Sequence, residues 1–228
     1  IDFWGPHQPY FPAREFFDQY DPKKIPKRPN FEDDLSDKPK IYQYDHHYRI
    51  SKNKKLIYPN PVPWEEWQEV LACNYAQQTQ IDDAAGRILE KIKELGLTEN
   101  TIIVWTTDHG DGLACHGGHF DKNAYMPEEM VRIPMAIKFP GEIEKRQVRD
   151  ELVSLIDLVP TFLDIAGTSF KTPLPGTSLL PLLRGELDDF REDLMVETHG
   201  HFSSHLGRLI VKDHYKYIYN EGDMDELY

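Results

Sequence analysis

The run Asn100 to Lys122, NTIIVWTTDHGDGLACHGGHFDK, carries an apolar stretch up to an acid and an imidazole and then turns glycine-rich. Thr101 to Trp105 combines β-branched residues with an aromatic between Asn100 and the glycines, a pattern that predicts a short strand buried on both faces. Asp108 and His109 fall just past its carboxyl end. Open α/β sheets bind ligands there, because the loops vary while the sheet beneath holds them still. Glycines at 110, 112, 117 and 118 let the backbone turn tightly or approach a ligand closely, bringing His116, His119 and Lys122 back within reach. One loop can thus deliver two metal ligands, Asp108 and His109, and one anion-binding cation, Lys122. The same residue types also suit a capped turn followed by a solvated loop, so on their own they leave both readings open.

The composition narrows the classes. A chain of 228 residues suits one sizeable domain, or one large core with a small satellite. The net charge of -13 and pI near 5.2 argue against a general nucleic-acid binder. Residues 1 to 60 carry 11 Lys or Arg against 9 Asp or Glu, so the acidic excess lies beyond them and an anionic substrate meets its kinder field near the first segment. Two cysteines, Cys73 and Cys115, give no disulfide framework, which favours a reducing, cytoplasmic setting. A signal peptide lost upstream of Ile1, which is not a methionine, would instead mean a periplasmic or secreted protein. No run is apolar and long enough to span a membrane.

Taken in order, the chain opens with IDFWGPHQPYFPAREFFDQYDP, where prolines at 6, 9 and 12 forbid a helix and favour a rigid, extended path. Ile1 to Trp4 reads as the tail of a strand. His7, between Pro6 and Gln8, reads in isolation as an ordinary loop residue. Pro22 to Pro63 is polar, proline-punctuated and aperiodic, either a long functional loop or a partly disordered segment, in which His46, His47, Tyr48 and Arg49 read as solvated loop residues. From Trp64 to Leu95 apolar residues recur close to every 3.6, predicting an amphipathic helix on the sheet, with Pro63 at its start and Gly96 at its end. Asp82 and Asp83 on it read as a solvated or locally paired face, and Cys73 as a small core residue. Ile133 to Phe139 and Val153 to Ile156 read as strands, and Asp157 to Ala166 as a helix ending at Gly167 with Pro160 in its first turn. Beyond Pro173 a surface wrap leads to short strands at Leu194 to Glu197, Arg208 to Lys212 and Tyr215 to Tyr219, spaced as hairpins. The expected fold is α/β: a mixed, largely parallel sheet flanked by helices over 1–172, then a wrap and small antiparallel subdomain over 173–228.

The strand ending in TTDHGDGL, followed by a histidine and a lysine and then by VRIPMAIKFPG and DLVPTFLDIAG, resembles the sulfatase family of the alkaline-phosphatase superfamily in the order of its motifs, from Gly5 to about Tyr228. That resemblance implies hydrolysis of sulfate esters of small molecules or carbohydrates. Asp108 and His109 would complete the coordination of a divalent cation, usually Ca2+ in the family, with Mn2+ or Zn2+ open because a histidine nitrogen suits calcium poorly. Lys122 would hold a sulfate oxygen. The Pro-His-x-Pro match makes His7 a contact to the sulfate or its bridging oxygen, and His116 takes a supporting role.

The family's nucleophile is a formylglycine made from Cys or Ser in a motif with Pro two residues on and then Arg. Neither cysteine fits it, so the resemblance puts nucleophile, arginine and a first pair of metal-binding aspartates upstream of Ile1. This chain alone is then expected to be an inactive fragment whose partner is that segment, and an open sheet edge would favour self-association or oligomers. Phosphodiester or phosphonate monoester hydrolysis in the same superfamily, and a non-catalytic glycan-binding module, are the alternatives.

Overall fold

In the computed structural model residues 1–44, 50–52, 55–57, 62–144, 146–187, 189–201 and 203–228 are described. Trp64–Glu94 forms one helix of 31 residues, with Glu65 and Glu66 in its first turn and Lys91 and Lys93 in its last, charges that complement the helix dipole. Gly96, at φ +70°, closes it: its N–H donates to Lys93 and the N–H of Leu97 to Ile92, each at 3.0 Å, satisfying carbonyls that the helix leaves open. Asp83 meets Arg87 at 3.1 Å on an exposed face, as a solvated acidic pair should. Cys73 is half-buried.

The chain divides into two compact units, Ile1–Thr98 with His109–Arg132, and Glu99–Asp108 with Ile133–Tyr228. In the first unit the amino-terminal half of the long helix supplies Trp67, Leu71, Ala72 and Ala76 to the interior. Trp67 packs with Val62, Ala114 and Phe120, flanked by Tyr10 and Phe31, while Leu71 and Ala72 meet Ile25. A further cluster joins Leu35, Ile41 and Tyr42 to Ala124, Tyr125 and Met130. The polar segment after Pro22 is therefore anchored by a few apolar residues rather than solvated throughout. It carries the helix Lys40–Tyr44 and the two-stranded hairpin of β1 (Ile50–Lys52) and β2 (Lys55–Ile57). His46, His47, Tyr48 and Arg49 lie outside the described residues. Ile1 to Trp4 forms no strand.

In the second unit β3 (Ile103–Thr106) pairs with β4 (Met135–Lys138) from Ile103↔Lys138 to Thr106↔Met135. The ladder is antiparallel, and no parallel pairing occurs among the described residues. β3 also departs from the fully buried strand expected, since Trp105 is exposed. Val153 to Ile156 forms no strand. Leu155–Asp157 is instead a 3-10 turn in a capping box, where Ser154 and Asp157 satisfy each other's backbone N–H groups ahead of the helix Leu158–Ile165.

Asp157 is wholly buried, and besides the N–H of Ser154 it accepts from the N–H of Thr177 at 2.9 Å and from Arg191 Nη2 at 2.7 Å. Through it the wrap after Pro173, with its short helix Leu180–Leu183, is tied to the turn. The chain ends in an antiparallel sheet ordered β5 (Asp193–His201), β6 (Ser203–Lys212), β7 (Tyr215–Asn220) and β8 (Glu226–Leu227). Lys212 faces Tyr215 across a two-residue turn, and an irregularity between Thr198 and Gly200 lets β5 run on past the expected Glu197. No helix among the described residues is long and apolar enough to cross a membrane.

Candidate active site

The glycine-rich loop is compressed against its own surroundings. Gly110 donates its N–H to the Met130 carbonyl at 2.9 Å, and a Cβ there would lie 1.7 Å from the Glu129 carbonyl oxygen, so only glycine fits. Gly117, at φ +74°, has a similar constraint: its Cβ would lie 2.6 Å from the Asp33 carbonyl oxygen. Left-handed backbone is not confined to glycine. Leu113, Ala114, His116, Asp121 and Asn123 all have positive φ. Such conformations cost free energy and persist where packing over-determines them, which makes the segment from Leu113 to Asn123 a strained loop around Lys122.

Within this loop Lys122 meets His7. Lys122 Nζ lies 3.1 Å from His7 Nε2, joining residues 115 apart in sequence. The second ring nitrogen fixes the tautomer: Nδ1 is 2.7 Å from the Gln8 carbonyl, which can only accept, so Nδ1 carries the proton and Nε2 accepts from the ammonium. A carboxylate oxygen of Asp121 lies 4.0 Å from Lys122 Nζ, and the lysine side chain is about one quarter exposed (26%). An ammonium has three N–H donors, and His7 uses one.

Asp121 holds the pair from below. It is buried; one oxygen accepts the Lys122 N–H at 2.8 Å and the other accepts Gln8 Nε2 at 2.9 Å. The neighbours of His7 and of Lys122 are thereby pinned to one carboxylate. Behind it Asp111 accepts the N–H groups of Leu113 and Asp121, each at 3.1 Å. Burial, with the Asp121 charge adding to it, pushes the Asp111 carboxyl up to about 6 against these bonds. Tyr10, 3.5 Å from Asp111, is likewise raised, first by burial and then by the two carboxylates.

Asp108 and His109 were expected to bind metal. The ring of His109 suits that role: Nδ1 donates to the Gly110 carbonyl at 2.7 Å, leaving Nε2 as the nitrogen with the lone pair in the neutral ring. Asp108 offers a carboxylate, one oxygen of which lies 3.3 Å from Thr107 Oγ1. A carboxylate oxygen and an imidazole nitrogen are donors that a divalent ion accepts. They make a partial set, since among the described residues no three His, Cys, Asp or Glu side chains come together to hold an ion.

His116, expected to assist Lys122, is engaged by Glu129, with Nε2 donating to Oε2 at 2.9 Å. Its Nδ1 is buried without a hydrogen-bond partner among the described residues. That bond holds the Glu129 carboxyl down at about 2. Cys115 beside them is pushed up to about 11, by burial and then by Glu129, so its thiol is a poor nucleophile. Gln8, Asp111 and Asp121 were missed by sequence reasoning. A buried acid at each end of a glycine-rich loop was the one available sign.

Comparison with known proteins identifies the family. The Sulfatase family profile matches residues 3–168, and that of the carboxyl-terminal region of N-sulphoglucosamine sulphohydrolase matches residues 115–228. The chain belongs to the sulfatase family of hydrolases. It is 32% identical over 172 residues to an N-acetylglucosamine-6-O-sulfatase of Bacteroides thetaiotaomicron, covering 72% of this chain and 30% of that protein. With human N-acetylglucosamine-6-sulfatase it shares 30% identity over 208 residues, 86% of this chain and 34% of the relative. The chain thus spans about a third of the length of these curated relatives.

Two solved structures share its fold. One, in complex with its substrate D-glucosamine-2-N,6-O-disulfate, superposes with a TM-score of 0.78 at 24% identity, over 98% of this chain and 56% of that one. A phosphonate monoester hydrolase from Silicibacter pomeroyi superposes at 0.84 and 23% identity, over 98% of this chain and 47% of that one.

Proposed function

We propose that the complete protein hydrolyses sulfate esters of carbohydrates, and that His7 and Lys122 bind the sulfate. The observation that carries this reading is the contact of Lys122 Nζ with His7 Nε2 at 3.1 Å, with Nδ1 of His7 fixed on the Gln8 carbonyl. A sulfate monoester is a stable anion whose cleavage requires its oxygens to be neutralised, a nucleophile, and a proton for the leaving alcohol. Lys122 has N–H donors beyond the one on His7 to place on sulfate oxygens. As the S–O bond to the alcohol breaks, the departing oxygen takes a proton from Nε2 of His7, which for this step has taken up a proton from solvent and released the bond it accepts from Lys122, while the Nδ1–H bond to the Gln8 carbonyl keeps the ring aimed. Asp121, through the Lys122 N–H and Gln8, sets the spacing between the two. His116, paired with Glu129, supports the loop that carries Lys122.

Asp108 and His109 are the residues that would hold a divalent ion, Ca2+ by family resemblance and Mn2+ or Zn2+ by the preference of imidazole. When bound, the ion would supply positive charge to offset that of an anionic ester. The nucleophile belongs to the formylglycine motif of the family, which does not occur within these 228 residues. We extend two further expectations to the complete protein: that β3 and β4 belong to a larger, mixed sheet, and that 1–172 and 173–228 are separate domains. The sugar is proposed from the N-acetylglucosamine sulfatases among the relatives. Phosphonate monoester hydrolysis is the second reading, favoured by the fold shared with such a hydrolase at a TM-score of 0.84.

The test is kinetic. In the complete protein Lys122→Ala is expected to raise KM and lower kcat together, reducing kcat/KM by on the order of a hundredfold or more, because the cation touches an anion present in ground and transition states. His7→Ala is expected to fall mainly on kcat, and most on esters with poor leaving groups. Equal losses on activated aryl and unactivated alkyl esters would remove His7 as the proton donor. Faster turnover of a phosphonate monoester than of any sulfate ester would favour the second reading.

A further inference from the structure

Trp4 stands beside the sulfate-binding pair. Its ring centre is 5.3 Å from that of His7, with the planes inclined at 51°. The residue is 74% exposed, whereas Trp67 in the same unit is wholly buried in the core. What singles Trp4 out among the exposed apolar side chains is its place beside His7, where an indole offers a flat face to a bound partner.

The backbone around Trp4 is not loose. A Cβ on Gly5 would lie 2.8 Å from Gln77 Nε2 and 2.9 Å from Ile81 Cδ1, so the chain there lies directly on the long helix. Asn74 Nδ2 donates to the Pro6 carbonyl at 3.4 Å, and Gln80 Oε1 accepts the Ala13 N–H at 2.9 Å. Helix contacts at 74, 77, 80 and 81 thus fix the inner side of the segment that presents the exposed ring next to His7.

We infer that Trp4 is a specificity residue, the platform on which the sugar ring of the substrate stacks while its sulfate sits on His7 and Lys122. The inference rests on the sulfate-ester reading above and adds the group that reads the alcohol. In that reading His7 Nε2 faces the bridging oxygen. The carbon skeleton attached to that oxygen must therefore begin within a few ångströms of the imidazole, and the indole borders the imidazole. A pyranose carries an apolar C–H face that stacks on indole and hydroxyls that the Nε1–H can meet, whereas a short alkyl chain offers neither. Trp4 touches no sulfate oxygen in this scheme, so it discriminates among alcohols and not among acids.

The experiment compares a pyranose 6-sulfate with ethyl sulfate, both primary alkyl esters, on the complete protein and on its Trp4→Ala, Trp4→Phe and Lys122→Ala variants. The expected result in Trp4→Ala is a fall of about tenfold in the ratio of kcat/KM for the sugar ester to that for ethyl sulfate, expressed mainly in KM. Trp4→Phe, which keeps an aromatic face, is expected to recover part of that ratio. An unchanged ratio in Trp4→Ala, or a Phe variant no better than the Ala variant, overturns the inference. Lys122→Ala reads the parent reading separately, since it should depress both esters by the same factor. If it depresses neither, the sulfate site falls and Trp4 with it; if it depresses both while the Trp4 ratio stays constant, the platform alone is wrong.

Discussion

At the residue scale, the hydrogen bond from His116 to Glu129 makes a prediction about pH. The Glu129 carboxyl is held at about 2, below its ordinary 4.5, chiefly by His116 Nε2 at 2.9 Å. A group whose folded-state value is depressed contributes stability above its unfolded value, and that contribution is lost as pH falls towards the folded one. The window is therefore from about 4.5 down to about 2. The wild-type chain is expected to lose stability through that range more steeply than Glu129→Gln, which has no carboxylate to protonate, when urea midpoints are measured along the pH series. Because the glutamate is only half-buried, solvent screens part of the effect. Parallel pH profiles for the two proteins would count against the pairing.

The same loop bears on what was readable from sequence. His7 and Lys122 were accessible through motif order. Their supports Gln8, Asp111 and Asp121 were not, because the Gln8–Asp121 bond joins residues 113 apart and nothing near either marks the other. The glycines at 110 and 112 predict tight turns or a close approach to a ligand; at Gly110 the close approach is to the backbone of Glu129, and much of the unusual φ falls on other residues.

At the scale of elements, Asp157 organises the junction between the helix Leu158–Ile165 and the chain that follows. Wholly buried, it accepts from the N–H of Ser154 within its own turn, from the N–H of Thr177 beyond it, and from a guanidinium, Arg191, that is 15% exposed at the side chain. Removing one partner of a buried pair leaves the other without compensation, at a cost of about 3 kcal/mol or more. Asp157→Ala is expected to lower the unfolding free energy by that order in denaturant titration, with Arg191→Ala costing less because Asp157 keeps its two backbone N–H donors. A change within a few tenths of a kcal/mol for Asp157→Ala would show the contacts to be incidental.

This junction also explains a misreading. Val153, Leu155 and Ile156 form a short apolar run, which periodicity cannot assign between strand and turn, while the Ser154-x-x-Asp157 signature that decides it lies across the same residues. The long helix was readable in full because many residues at a 3.6 period, with a proline before and a glycine after, leave no competing assignment. For β3 and β4 the sequence reveals strands and not their direction, which depends on the route of the chain between them.

At the scale of the whole molecule, the central claim is that two distant segments make one anion site. The acidic balance of -13 gives a sulfate ester no general attraction to the surface, so capture depends on local cations such as Lys122, held 3.1 Å from a histidine. The 228 residues contain no formylglycine motif, so the purified chain alone is expected to be inert towards sulfate esters, and the decisive measurement uses the complete protein. It is a double-mutant cycle on kcat/KM for one sulfate ester with His7→Ala, Lys122→Ala and both together. Residues that grip and protonate one ester as a unit lose their function together, so the double variant is predicted to fall no more than about threefold below the worse single variant. Losses that instead multiply, each substitution costing its full factor whether or not the other is present, would contradict a shared site for His7 and Lys122.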